Sequence, residues 1–174
     1  MRLNRFSLLH SLNCGEYAIV TSETEISAMI AQLLIGSLVI SLTVIVEAAF
    51  MGVAEHVLMK NGKWMMREPH RIRQVIALIG VTLWLIAAIS VAVWLWAVTY
   101  LAVGSFDAME PALYFSIVTF TTLGFGDVLL TEQWRLLSGL AAANGLLIFG
   151  LSTAFMVEFL GRVRKAQANN HEDA

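Results

Sequence analysis

Three long apolar segments limit what this chain can fold into. They cover residues 26–51, 75–101 and 136–160, and each is long enough to cross about 30 Å of hydrocarbon as an α-helix. The chain of 174 residues is 58% hydrophobic and only 14% charged, a composition too apolar for a soluble domain. We therefore predict an all-α membrane protein with three transmembrane helices.

The charges between these segments predict their orientation. The connection 52–74 contains five Lys or Arg residues and the chain after the third segment contains three, whereas residues 1–25 contain two and residues 102–135 contain one. Lys and Arg accumulate in the short cytoplasmic loops of membrane proteins. We predict a multi-pass protein of the inner (plasma) membrane with its N-terminus outside. Residues 1–25 would form an extracytoplasmic or interfacial segment, 52–74 a basic cytoplasmic loop and 164–174 a cytoplasmic tail.

Residues 119–127, Thr-Phe-Thr-Thr-Leu-Gly-Phe-Gly-Asp, do not suit a membrane helix. Each glycine would cost roughly 1 kcal/mol in a helix interior. Gly124 and Gly126 suit instead an extended backbone in which both adopt left-handed angles. When left-handed and ordinary residues alternate, successive carbonyls can point the same way. A row of carbonyls can replace the water around a dehydrated cation.

A short helix is predicted directly before this stretch. Residues 112–121 are mostly apolar but too few to cross a bilayer. Asp107 and Glu110 have the spacing of a capping box, and Pro111 suits a first helical turn. We predict a re-entrant helix whose negative C-terminal end favours a cation behind the glycine stretch. That stretch must then be buried in protein or line a cavity.

The glycine stretch resembles the selectivity filter of potassium channels, Thr-Val-Gly-Tyr-Gly. The five corresponding residues, which the resemblance marks as potassium-binding, are Thr122, Leu123, Gly124, Phe125 and Gly126. Asp127 matches the aspartate that commonly follows this filter, and Thr119 and Thr121 match the threonine-rich end of the family's pore helix. The likeness is clearest over residues 108–163. It marks residues 75–163 as a pore module similar to that of small bacterial two-helix channels, with residues 26–51 as an added helix.

The resemblance implies a potassium-selective channel that conducts passively, and not an enzyme. One chain supplies one strand of the filter, so a homotetramer is implied. Potassium ions would bind the filter carbonyls as the permeant species, with no cofactor and no other metal. Membrane lipids are the other expected partners; nucleic acid is not expected, because the net charge is only −2. The alternatives are a weakly selective cation channel of the same architecture and a non-conducting regulatory membrane subunit.

Two residues depart from the usual filter pattern. Leu123 stands where valine or isoleucine is commoner, and Phe125 stands where tyrosine is commoner and therefore lacks a hydroxyl that could brace the filter. Some simple channels hold a carboxylate near the filter aspartate at the position of Val118. Asp127 must find another partner here, and Trp134 is one candidate for this supporting role.

The third apolar segment is expected to line the inner cavity and to gate the pore. Its candidate gate or cavity residues are Asn144, Gly145 and Glu158. Each has a simpler alternative: Asn144 would hydrogen-bond between helices, Gly145 would permit close packing, and Glu158 would pair with Arg162 at helical spacing four. Glu47, near the end of the first segment, would either couple to gating or a partner helix or extend to the membrane interface.

Overall fold

The structure, a computed structural model, describes the backbone of residues 5–65 and 70–172 and the side chains of residues 25–60, 72 and 75–162. These ranges form four α-helices and no strand: α1 (Arg5–Met65), α2 (His70–Ala102), α3 (Met109–Phe120) and α4 (Arg135–Glu172). A single 3₁₀ turn, Glu132–Trp134, precedes α4. The all-α class predicted from the sequence is confirmed for the described part of the chain.

Three of these helices are long and apolar enough to cross a membrane. Within the described residues the candidate spans are Glu25–Lys60 in α1, Val75–Ala102 in α2 and Glu132–Arg162 at α4. They contain the three apolar segments found in the sequence. A multi-pass membrane protein is therefore indicated.

Helix α1 is longer than the apolar segment that it contains. It begins at Arg5 and ends at Met65, so the first part of the predicted 52–74 loop is helical. Residues 52–60 include alanine, glutamate, leucine, methionine and lysine, which favour helix, and these residues extend α1 beyond the apolar stretch. The side chains of residues 1–24, those of most of the basic connection after residue 60, and those of the predicted tail lie outside the described residues.

The long helices pack side by side, with α1 and α4 parallel and α2 antiparallel to both. Gln32 of α1 bonds to Leu136 of α4, and further along Glu55 bonds to Arg162, so the two helices run in the same direction. This arrangement is the one required when three consecutive spans cross the same bilayer.

Two apolar clusters hold the bundle together, one at each end. At the end near the 119–127 loop the core joins α1, α2, α3 and α4; its largest fully buried members are Trp96, Tyr100, Phe120, Leu137 and Ile148. At the other end Val81 and Leu85 of α2 pack with Phe159 of α4. Since α3 contacts only the first cluster, the short helix is fixed at one end of the bundle.

Helix α3 packs against α2 through aromatic rings and one buried hydroxyl. The ring centroids of Tyr100 and Phe115 are 5.2 Å apart in an edge-to-face arrangement. The Ser116 hydroxyl donates a hydrogen bond of 2.7 Å to the Val93 carbonyl. With 12 residues, α3 is about 18 Å long at 1.5 Å per residue, too short to cross a bilayer.

The start of α3 differs from the predicted capping box. Ala108 is the N-cap residue, and no side chain caps the helix. The prediction for Asp107 was therefore wrong, because the helix begins one residue later than the Asp107–Glu110 spacing requires. Pro111 does lie in the first turn, where its missing N–H leaves no helical bond unmade.

Candidate functional site

The loop after α3 folds back onto the end of its own helix. Thr121 is the C-cap residue, and its amide bonds to the Ile117 carbonyl at 3.0 Å. The amides of Leu123 and Gly124 both point at the Val118 carbonyl, at 2.9 and 3.3 Å. The last carbonyls of α3 are thus partly satisfied by the loop, which fixes where the loop leaves the helix.

Left-handed residues alternate along this loop. Gly124 has φ of 56° and Gly126 has φ of 76°, the angles predicted for them from the sequence. Thr122 also has a positive φ, of 59°, which the sequence did not indicate. A β-branched residue in this region costs on the order of 1–3 kcal/mol and is found mainly where function needs it. The period of two from Thr122 to Gly126 is the pattern that lets successive carbonyls share a direction.

The two threonines at the end of α3 bond within the helix. The Thr119 hydroxyl donates to the carbonyls of Phe115 and Ser116, at 2.8 and 3.2 Å, and the Thr121 hydroxyl donates to the Ile117 carbonyl at 2.7 Å. Both side chains therefore hold rotamers that turn their hydroxyls towards the preceding helical turn. Their contribution is to order the helix end from which the loop departs.

Asp127 is held by a tyrosine of α3. The Tyr114 hydroxyl donates a hydrogen bond of 2.6 Å to Asp127 Oδ2. This bond raises the pKa of Tyr114, with smaller contributions from desolvation and from the Asp127 charge. The phenol therefore keeps its proton, and donates it, to a higher pH than a free tyrosine does.

This partner of Asp127 was missed in the sequence. Trp134, the candidate proposed there, instead packs against the apolar cluster near the loop. Tyr114 lies one helical turn before Val118, so the two share a face of α3. This spacing could have identified Tyr114, because Val118 is the position at which some simple channels hold a carboxylate near the filter aspartate.

One side of the loop is open in the single chain. All residues from 121 to 127 are exposed, and the apolar side chains of Leu123 and Phe125 are 56% and 66% exposed. The single chain therefore leaves two large apolar side chains of this loop uncovered.

The three candidate gate or cavity residues do not meet at one place. The Asn144 amide is buried and donates a bond of 2.7 Å to the Thr43 hydroxyl of α1. Glu158 forms an ion pair with Arg162, with a 2.7 Å separation between Glu158 Oε1 and Arg162 Nη2. In both cases the simpler alternative, a contact between or along helices, is the one observed.

Gly145 is a point of contact between α4 and the end of α3. A Cβ atom built on it would overlap the carbonyl oxygen of Phe120 and approach the Phe120 carbonyl carbon to 2.8 Å. The absence of a side chain therefore sets how closely α4 approaches the residue at which α3 ends. This is the close-packing alternative for Gly145, and it places α4 directly behind the loop.

Glu47 does not extend to the membrane interface. It is 1% exposed and accepts a hydrogen bond of 2.8 Å from the Ser152 hydroxyl of α4. The interface alternative was wrong, because α4 covers this face of α1. Sequence position alone could not reveal which neighbour would cover the carboxylate.

A family model described as Ion channel matches residues 82–162. This segment is therefore similar to an ion-channel domain. The matched ion-channel domain contains most of α2, the whole of α3, the loop and the first part of α4, and it ends at Arg162. The family is one of channels and not of enzymes. Comparisons with curated proteins and with solved structures gave no match.

Removing the tyrosine hydroxyl is expected to loosen the loop of the ion-channel domain. In Tyr114→Phe the only side-chain hydrogen bond shown for Asp127 is lost, so the amides of residues 122–127 should exchange with deuterium faster than in the native protein. Asp127→Asn should have a smaller effect, because an amide oxygen still accepts from Tyr114. Asp107→Asn, which changes a carboxylate before the start of α3, is the control. Equal exchange in Tyr114→Phe and the native chain would contradict this bracing role.

Gly145→Ala is expected to destabilise the protein. The new methyl meets a backbone oxygen that no rotamer change can move, and overpacking costs about 1–3 kcal/mol, against a gain of roughly 1 kcal/mol in helix propensity. Gly139→Ala on the same helix has open space for its Cβ and should be neutral or stabilising. Thermal unfolding of both variants in detergent measures the difference. Identical midpoints for the two variants would show that the close approach at Gly145 is unimportant.

Proposed function

We propose that this chain is the subunit of a potassium-selective channel in which four copies surround one pore. The observation that supports this most is the alternation of left-handed residues at Thr122, Gly124 and Gly126 directly after α3. It accounts for the glycines, for the strained threonine and for the exposed loop together. A simple turn between two helices would need none of the three.

The proposed conduction mechanism uses backbone atoms. The carbonyls of Thr122, Leu123, Gly124 and Phe125 form stacked cages around dehydrated potassium ions, and the Thr122 hydroxyl lies at the inner end. Carbonyl dipoles replace the ion's water shell, so entry costs little free energy. Several sites are occupied at once, and repulsion between neighbouring ions drives each one onwards.

Fourfold assembly supplies what the single chain lacks. One loop offers one row of carbonyls, and non-helical backbone at membrane depth must line a water-filled cavity or be buried in protein. A closed ring of four copies meets both conditions, with each loop buried on its outer side and facing ions on the other. Exposed Leu123 and Phe125 side chains are then covered by neighbouring subunits.

Two charges near the loop favour cations. The C-terminal end of α3 carries the negative end of the helix dipole, and it lies at the inner end of the proposed filter. Asp127 lies at the other end of the filter. Its bond to Tyr114 holds the carboxylate in place.

The proposed orientation follows from the distribution of Lys and Arg. With the N-terminus outside and residues 52–74 and 164–174 in the cytoplasm, the filter lies at the outer side of the inner (plasma) membrane. Lipid contacts the exposed apolar faces of the long helices. In this orientation α3 enters from outside and ends within the membrane.

A weakly selective cation channel of the same architecture is the second candidate. The observation in its favour is Phe125, whose side chain has no hydroxyl with which to form a hydrogen bond that could stiffen the middle of the loop. The Tyr114–Asp127 bond braces only the outer end. Selectivity then depends on how firmly neighbouring subunits hold Phe125.

Ion flux into liposomes containing the purified protein separates the candidates. Potassium flux that barium blocks, with no sodium flux, is expected for the selective channel. Equal fluxes of sodium and potassium would favour the second candidate. No flux over a range of pH, lipid composition and membrane tension would indicate a non-conducting regulatory subunit. A stable monomer or dimer in detergent and in lipid would contradict the fourfold pore.

Gly124→Ala is expected to abolish potassium flux. A Cβ at Gly124 would meet open space, so the effect comes from the backbone angle. An L-residue in the left-handed region costs about 1–2 kcal/mol. In a filter of four chains this cost arises four times. Flux per assembled channel is the measurement, with assembly checked by size-exclusion chromatography. Gly139→Ala is the control and should conduct normally. Unchanged flux in Gly124→Ala would refute the proposed filter.

A further inference from the structure

Helix α1 lies outside the matched ion-channel domain but contacts its last helix along most of the membrane span. Four polar contacts join α1 to α4, with distances of 2.7–3.0 Å; they are Gln32 to the Leu136 amide, Thr43 to Asn144, Glu47 to Ser152 and Glu55 to Arg162. Gly36 adds an apolar contact, since it leaves room for the Leu140 side chain. An added helix that merely anchored the chain in lipid would not need polar groups on this face.

Glu47, like Asn144, is incompletely hydrogen-bonded in this interface. Its Oε1 accepts one hydrogen bond, from Ser152, and its Oε2 is buried without a hydrogen bond from any described residue. With 1% of its surface exposed, Glu47 is enclosed between the helices and has no access to water in this structure. Intramembrane carboxylates are costly and are retained mainly where they have a function.

No described cation compensates a negative charge on Glu47. On α1 the nearest titratable residues towards the C-terminus are Glu55 and His56, which at spacing eight and nine lie at least about 12 Å further along the helix. On α2, residues 75–101 contain no charged residue and no histidine, and Tyr100 lies at the loop end of the bundle.

On α4, the charged residues that follow Ser152, the hydrogen-bond partner of Glu47, are Glu158 and Arg162. Arg162 follows Ser152 by ten residues, about 15 Å along the helix, and its guanidinium already pairs with Glu55 and Glu158 at 2.7 Å each. The protonated, neutral acid therefore fits the interface, whereas the carboxylate would be a buried charge without a partner.

We propose that Glu47 is a proton-binding site between α1 and α4, and that its proton controls how firmly α1 holds the helix that lines the pore. With the proton bound, the two helices pack as observed. Loss of the proton separates α1 from α4 near Ser152, as water enters to solvate the carboxylate. Because Gly145 of α4 touches the end of α3, this movement reaches the filter region, so conduction depends on pH; that last step rests on the proposed function.

The first test does not require conduction. Spin labels at Val53 of α1 and Val157 of α4, both exposed, report the distance between the helices in a Cys14→Ser background, with labelled chains diluted into unlabelled ones. The distance is expected to increase as rising pH removes the proton from this buried carboxyl. In Glu47→Gln it should keep its low-pH value throughout. A native distance that does not change with pH would overturn the proposal.

Ser152→Ala and Glu55→Gln sharpen this test. Among the described residues only Ser152 donates a hydrogen bond to the Glu47 carboxylate, so its removal should move the transition to higher pH while Glu47 itself is kept. Glu55→Gln removes the ion pair with Arg162, which also joins the two helices, but the pH-dependent change in distance should remain. Transitions that are lost in Glu55→Gln or His56→Gln but kept in Glu47→Gln would assign the proton to another residue and overturn the proposal.

The second test measures potassium flux against pH. The ratio of the two helix arrangements should change by up to about tenfold per pH unit for one linked proton per chain, and flux should follow it. Glu47→Gln should conduct at all pH values as the native protein does at low pH. Flux with the same pH dependence in Glu47→Gln would overturn the proposal. Absence of flux in every variant, with the distance change intact, would contradict the proposed channel function but not the proton site.

Discussion

This structure depends on one constraint: backbone N–H and C=O groups without access to water must be hydrogen-bonded within the protein. The three spans meet it as helices, in which every interior N–H and C=O is paired. The loop after α3 meets it only in part, because Leu123 and Gly124 share the Val118 carbonyl and the loop carbonyls remain open. In the proposed channel, other copies of the chain cover the apolar side chains of this loop, and cations bind its carbonyls.

Close contact between α3 and α4 makes this loop part of the bundle. The Phe120 carbonyl lies where a side chain at position 145 would be, and the Phe120 ring is fully buried in the cluster at that end. A short helix cannot bury enough surface to hold itself in place. It is held by α2 through Phe115 and Ser116, and by α4 through this glycine. Movement of α4 therefore has a direct route to the start of the loop.

The interface between α1 and α4 uses polar groups to join a helix outside the matched segment to the last helix within it. Thr43 and Asn144 satisfy each other only partly, since Asn144 Oδ1 is also buried and unbonded. Glu47 and Ser152 have the same imbalance one turn further along α1. Polar pairs of this kind in an apolar interior hold two helices in register. Because few hydrogen bonds are present to stabilise a charge, ionisation of one group would destabilise the contact. This is the physical basis for treating α1 as a regulatory helix.

The sequence by itself determined the three apolar helices, the short helix before the loop and the left-handed glycines, because these depend on local length, periodicity and the lack of a Cβ. It did not determine where α1 ends, since helix-forming residues continue past the apolar stretch. Only the tertiary structure decided that Tyr114 and not Trp134 holds Asp127, that Gly145 serves packing against Phe120, and that Glu47 is buried by α4. Each of these depends on which face of one helix meets another, and a residue's spacing along its own helix gives the face but not the neighbour that covers it.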